Sequence, residues 1–157
     1  MGTDRKPSRS VQKDPYLSFR FHVEIDSLVS CGFQEVTGLT FETEVETFRE
    51  GGLNLYQRQL AGASKYPSRL VLKRGLADAD TLWSWYEKVL KGAVVRKNVS
   101  ILLLDPDSDQ ERWRWNIRQA CPVKWTGPEF RAGSAEIAFE AVDLIHQGLL
   151  DCKLTRR

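Results

Sequence analysis

Three cysteines in 157 residues, Cys31, Cys121 and Cys152, are too few and too scattered for a disulfide framework, and no C-x-x-C pair is there to hold zinc. An odd number of dispersed thiols suits a reducing cytoplasm. Histidine is scarcer still. His22 and His146 are the only two, and neither has a Ser, Cys or carboxylate at a spacing that marks a triad. Gly51-Gly52 lacks the remaining motif and the following helix of a phosphate loop. No apolar run approaches the roughly 20 residues that span a bilayer. The N-terminus has no apolar signal-peptide core, and Lys6 stands where a myristoylation site needs Ser or Thr. With a net charge of only +2, the whole-molecule field is a poor lure for nucleic acid or anionic lipid. These absences predict a protein with no catalytic group, cofactor, metal, membrane insertion or specific nucleic-acid site.

What is present describes a globular domain, with 41% hydrophobic residues and five tryptophans. Residues 1–14 carry four basic and two acidic side chains, Pro7 and two serines, and read as a flexible basic tail. One domain is expected over residues 15–150, with a C-terminal tail at 151–157. From Leu17 the chain alternates strictly: Leu17, Phe19, Phe21, Val23 and Ile25 face one way, and Ser18, Arg20, His22 and Glu24 the other. Val29–Val36 reads as a shorter strand. Leu39, Phe41 and Val45 alternate with Glu42, Glu44 and Glu46. Ser68–Lys73, closed by Gly75, is a further strand.

The single convincing helix spans residues 78–91. Asp78 is placed to cap it, Asp78 and Asp80 to oppose its positive end, and Lys88 and Lys91 to oppose its negative end, with Gly92 just beyond. Leu82, Trp83, Tyr86, Val89 and Leu90 form its apolar face, which makes Trp83 a core anchor. Val99–Leu104 is a continuous apolar strand. Glu111–Gln119 alternates Trp113, Trp115 and Ile117 against Arg112, Arg114, Asn116 and Arg118, and Cys121–Trp125 continues it with Pro122 at an edge or bulge. Ala135–Ala141, with Ile137 and Phe139 inward, closes the domain and runs into Asp143–Leu150. The class is mainly β (α+β): an antiparallel β-sandwich or barrel with one flanking α-helix and a long extended arm.

The arm is residues 48–66. It holds Gly51, Gly52 and Gly62 yet also Leu53, Leu55, Tyr56 and Leu60, and structureless loops of this length are uncommon. Two readings stand: a hairpin folded on its own sheet, or an arm whose apolar residues dock outside the domain. Two charge stripes accompany it. Glu42, Glu44 and Glu46 make an acidic stripe, and Arg112, Arg114 and Arg118 a basic one. On neighbouring strands they would pair within the chain; on distant ones they would register one copy against the next. A calcium site would need carbonyl and turn ligands that the three glutamates do not bring.

Arg112-Trp113-Arg114-Trp115 also looks like a strand that stacks single-stranded nucleic acid, but alternation puts the rings opposite the cations. An oligonucleotide-binding β-barrel module is therefore the alternative, and a small hydrolase using Cys121 or His22 a third reading.

Several runs taken in order, DPYLSFRFHVEID, GFQEVTGL, FREGG, LVLKRGL with LWSWYEKVLKG, and RWNIRQACPVKWTGP, resemble phage tail tube proteins, specifically those of contractile tails and phage-tail-like contractile injection systems. The similarity runs from Asp14 to about Leu150. It implies a tail-tube-like barrel protomer that self-assembles into stacked hexameric rings. Those rings would enclose a channel for passing cargo, with sheath protein outside and baseplate or hub proteins at one end. It maps the inter-subunit arm onto residues 48–66. The family also includes a first-ring initiator joining tube to baseplate, and the basic N-terminal tail favours such a specialised ring.

Overall fold

The computed structural model describes residues 20–26, 28–30, 32–52, 55–66, 68–76, 80–133, 135 and 137–154. The expected tail at 1–14, the first residues of the opening strand (Leu17 to Phe19), Leu53 of the arm and the cap residue Asp78 lie outside them. Within them the elements are β1 Phe21–Ile25, β2 Leu28–Ser30, β3 Phe33–Thr37, β4 Glu42–Phe48, β5 Arg58–Lys65, β6 Leu70–Gly75, α1 Thr81–Leu90, β7 Lys97–Leu104, β8 Glu111–Thr126, β9 Phe139–Ile145 and β10 Leu149–Leu154.

Eight strands form one antiparallel sheet in the order β2-β1-β7-β8-β9-β6-β3, with β10 joined to β8. β2 and β3 stand at opposite ends of that order, yet only residues 31–32 separate them. Three Cα–Cα steps reach at most about 11 Å, so the sheet has curled until its ends meet, which makes it barrel-like. β8 is long enough to serve both halves. Its first half pairs with β7 and β10, and from Cys121 onward it pairs with β9. A register shift falls between Pro122 and Lys124, the irregularity expected where a proline cannot donate to the ladder.

Alternation explains the core. Val23, Leu70, Leu72, Val99, Ile117, Val142 and Leu144 are fully buried on one side of the curled sheet, and Leu82 and Trp85 close over them from α1. Burying each of the aliphatic side chains contributes about 1.5–3 kcal/mol. The helix begins three residues later than its sequence signals suggest and ends on a Schellman arrangement, with Gly92 N–H bonded to Val89 O and Ala93 N–H to Lys88 O. Its buried face also differs. Leu82 and Trp85 point inward, while Trp83 is 38% exposed and Leu90 61%. The indole of Trp85 needs an acceptor when buried, and its Nε1–H donates to Val95 O at 2.8 Å. Trp83 instead lies edge-on to Trp125, centroids 4.8 Å apart.

β9 is out of phase with the expectation. Glu140, Val142 and Leu144 face inward, whereas Ile137 precedes the strand and is largely exposed, and Phe139 lies on the opposite face from Glu140. An ion pair causes this. In β6 the alternation of Leu70 and Leu72 carries Arg74 inward, and its Nε donates to Glu140 Oε1 at 2.6 Å across the register partner. Trp125 Nε1–H donates to the other carboxylate oxygen at 2.9 Å, and Arg74 Nη1 reaches Thr81 Oγ1 at 3.3 Å at the start of α1. Four elements are thereby joined at one buried point. At the C-terminus, strand pairing continues past residue 150: Asp151–Leu154 belong to β10 and pair with Trp113–Asn116.

Candidate functional site

β4 and β5 form a two-stranded sheet of their own, apart from the barrel. The strand with the glutamate ladder and the long loop after it are thus one hairpin, running from Glu42 to Lys65. It is a hairpin, as one sequence reading had it, but it is not folded onto the domain's sheet. Every described residue from Thr40 to Phe48 is exposed, and so is nearly all of β5. Val45 (62% exposed) opposes Ala61 on one face, and Leu60 and Phe48 lie on the other. Leu55 is 92% exposed and Tyr56 61% at the tip. An isolated two-stranded hairpin is marginal in water, and among the described residues this one carries exposed apolar side chains on both faces.

The hairpin is held at its feet. Phe41, just before β4, meets Tyr66, just after β5, in a T-shaped contact with centroids 5.5 Å apart. Both rings pack on His146, Tyr66 at 5.1 Å and Phe41 at 6.1 Å. Two glycines allow close approaches nearby, and that of Gly148 involves one of these rings. A Cβ on Gly148 (φ 112°) would strike the Tyr66 hydroxyl, and one on Gly38 (φ 87°) would strike the Arg69 carbonyl. His146 Nδ1 accepts the Gly148 N–H at 3.2 Å, while Nε2 is buried with no partner among the described residues. That burial pushes the imidazole pKa below its ordinary 6.5.

The charge stripes are not neighbours, since β4 pairs with β5 alone and β8 lies in the barrel. Glu44 is already paired to Lys65 at 2.9 Å within the hairpin, while Glu42 and Glu46 are exposed. Arg112 is bound to Asp105 at 2.6 Å, and Arg114 to Glu24 at 2.7 Å and Glu111 at 2.8 Å. Hydrogen bonds to Glu111 and then Glu24 raise the Arg114 pKa. Arg118 is exposed, with no ion pair among the described residues. The polar side of β8 faces away from the core, as alternation predicts. A row of register partners crosses four strands there, Glu24, Ser100, Asn116 and Asp151, and Ser100 Oγ lies 2.6 Å from Asn116 Oδ1. Trp113 and Trp115 stack at 6.0 Å on the opposite face, partly covered.

Sequence reasoning passed over His146, Arg74 and Glu140. For the ion pair a signal existed: both residues continue the inward phase of Leu70–Leu72 and Val142–Leu144. For His146 no local pattern sufficed, because its partners come from residues 41 and 66. The residues of the hydrolase reading lie apart in setting: Cys121 is buried and His22 is exposed. Among the described residues no group of three His, Cys, Asp or Glu could hold a metal, and no helix is long and apolar enough to cross a membrane.

Comparison with known proteins bears on this arrangement of barrel and arm. A chain in the cryo-EM structure of the anti-feeding prophage baseplate, six-fold symmetrised, is 28% identical and superposes with a TM-score of 0.77 over 90% of this chain and 97% of that one. A chain in the anti-feeding prophage tube-terminating cap is 20% identical, with a TM-score of 0.84 over 98% of this chain and 100% of that one. One in the sheath–tube complex of the extracellular contractile injection system PVC is 23% identical, with a TM-score of 0.79 over 90% and 93%. The last two speak for the fold alone. No curated protein matches in sequence. Residues 17–150, nearly all of the barrel and the whole hairpin, match the T4-like virus tail tube protein gp19 family, and the chain belongs to that family.

Proposed function

We propose that the chain is a structural subunit of the inner tail tube of a contractile phage tail or phage-tail-like injection system, working by self-assembly into stacked hexameric rings around a channel. The observation that carries this is the hairpin Glu42–Lys65, which stands off the barrel with apolar residues on both faces. Such an element is stabilised by docking on another subunit, through Leu53, Leu55, Tyr56 and Leu60. Six-fold rings accord with the symmetry of the baseplate that holds the 28%-identical chain. The polar row Glu24–Ser100–Asn116–Asp151 suits a wet lumen, through which cargo would pass. Sheath protein outside and baseplate proteins at one end are the further partners. The free energy of assembly comes from burial at interfaces and continued sheet bonding, and no step calls for a catalytic group.

A second reading is a first ring that joins tube to baseplate, and the likeness to a chain of a baseplate structure supports it. Electron microscopy of the purified protein tests both. Six-fold rings or tubes support the proposal, and long tubes as against single rings distinguish the two roles. A dispersed monomer at high concentration overturns it. The double variant Leu55→Ser, Tyr56→Ser should remain folded and fail to assemble.

A further inference from the structure

We propose that His146 is the seat of the arm: its ring, clasped by Phe41 and Tyr66 at the two feet of the hairpin, sets the direction in which the arm leaves the barrel. Its effect on assembly rests on the arm reading above, whereas the seat itself is a property of the single chain.

Among the described residues no strand of the barrel pairs with β4 or β5, so the hairpin's orientation is fixed where it enters and leaves the body. Phe41 and Tyr66 are adjacent to its two strands, touch each other, and touch one further ring, that of His146. His146 in turn sits in the tight turn between β9 and β10, where Gln147 N–H donates to Arg118 O and Arg118 N–H to Gly148 O. The seat is thus bolted to β8, the strand shared by both halves of the sheet. A Cβ at residue 148 would meet the Tyr66 hydroxyl, so Gly148 leaves room for that ring as it stands.

The seat also depends on the charge of the ring. Because Nδ1 accepts the Gly148 N–H, a neutral ring carries its proton on Nε2. A second proton on Nδ1 would meet that N–H donor head-on. The charged groups around the ring do not favour the cation. Arg69 lines the same cleft and is spent on Asp143 at 3.6 Å, Arg118 flanks the turn, and no carboxylate bonds the imidazole among the described residues. A lowered histidine pKa means the seat is complete above the ordinary 6.5 and weakens as pH falls below it.

Hydrogen exchange of the full chain, read at the β4 and β5 amides and corrected for intrinsic rate, tests this. In the wild type the arm amides should open up to about tenfold more per pH unit below 6.5, while β6 to β9 stay protected. His146→Phe, which keeps a ring and cannot titrate, should hold the arm's protection and its assembly through pH 5. His146→Ala should lose both at every pH. Where His146→Ala also unfolds the barrel, Phe41→Ser, altering an exposed foot, should release the arm alone. Arm protection that ignores pH, or that survives His146→Ala or Phe41→Ser, overturns the seat. Normal assembly of Leu55→Ser, Tyr56→Ser would instead overturn the arm's role and leave the seat to be judged by exchange.

Discussion

Arg74 and Glu140 are each 3% exposed, and a buried charge is tolerable only while its partner is in place. Arg74→Met should therefore destabilise by about 3–5 kcal/mol in urea denaturation, since it leaves the Glu140 carboxylate unpaired. Adding Glu140→Leu should recover most of that loss. Recovery will stop short by about 1–3 kcal/mol, the cost of the Trp125 indole N–H left without its acceptor. A second residue works by pH. Asp105 accepts the N–H groups of Asp107 and Ser108 and pairs with Arg112, and these contacts, the Asp107 hydrogen bond foremost, lower its pKa to about 2. A lowered carboxylate pKa gives stability that is present above its ordinary 3.8 and lost as pH falls toward 2. Asp105→Ala should thus lower Tm at pH 7, and the gap to wild type should close between pH 4 and pH 2 in a thermal melt series.

At the scale of elements, α1 shows why a periodic pattern can name the right face and the wrong anchor. Trp83 and Trp85 are two residues apart, about 200° around a helix, and only tertiary contact decides between them. Val95 O and the Lys97 ammonium, 5.4 Å from the ring, both favour Trp85. Trp85→Ala should cost about 3–5 kcal/mol. Trp83→Ala should cost clearly less, because Trp83 is 38% exposed and is held chiefly by its edge contact with Trp125. Chemical denaturation of the two variants side by side checks this. Strict alternation made β1 and the first half of β8 legible, because a half-buried strand writes its two faces into the sequence. The hairpin was legible only as an anomaly: Val45 and Leu60 look like core residues, and nothing local says that the core is missing. β9 was misread because a buried Glu140 inverts the usual hydrophobic phase. The Phe41–Tyr66–His146 seat joins three distant positions and left no periodic trace.

For the whole molecule, the two charge stripes do not meet each other within one chain, and we propose that they act between copies. Reversing Glu44 and Arg114 would break the chain's own ion pairs, so exposed Glu46 and Arg118 make the cleaner test. Glu46→Lys and Arg118→Glu should each weaken assembly in sedimentation, and together restore it. Failure of the pair to rescue would mean the two stripes do not face each other.

β8 has a consequence in the order of synthesis. β1 can pair only with β2 and with β7, and β7 lies on the far side of the hairpin, β6 and α1 in the chain. β6 likewise waits for β9 before it has more than β3 beside it. At ordinary elongation rates the first apolar strands leave the ribosome seconds before any sheet can receive them. β8 emerges late, and only then can the two halves be joined, so pairing is dominated by distant contacts and folding should be slow. A nascent chain stopped before residue 111 has strands but no barrel. The waiting interval, rather than the finished subunit, is where this protein is most exposed to aggregation and to the chaperones that prevent it.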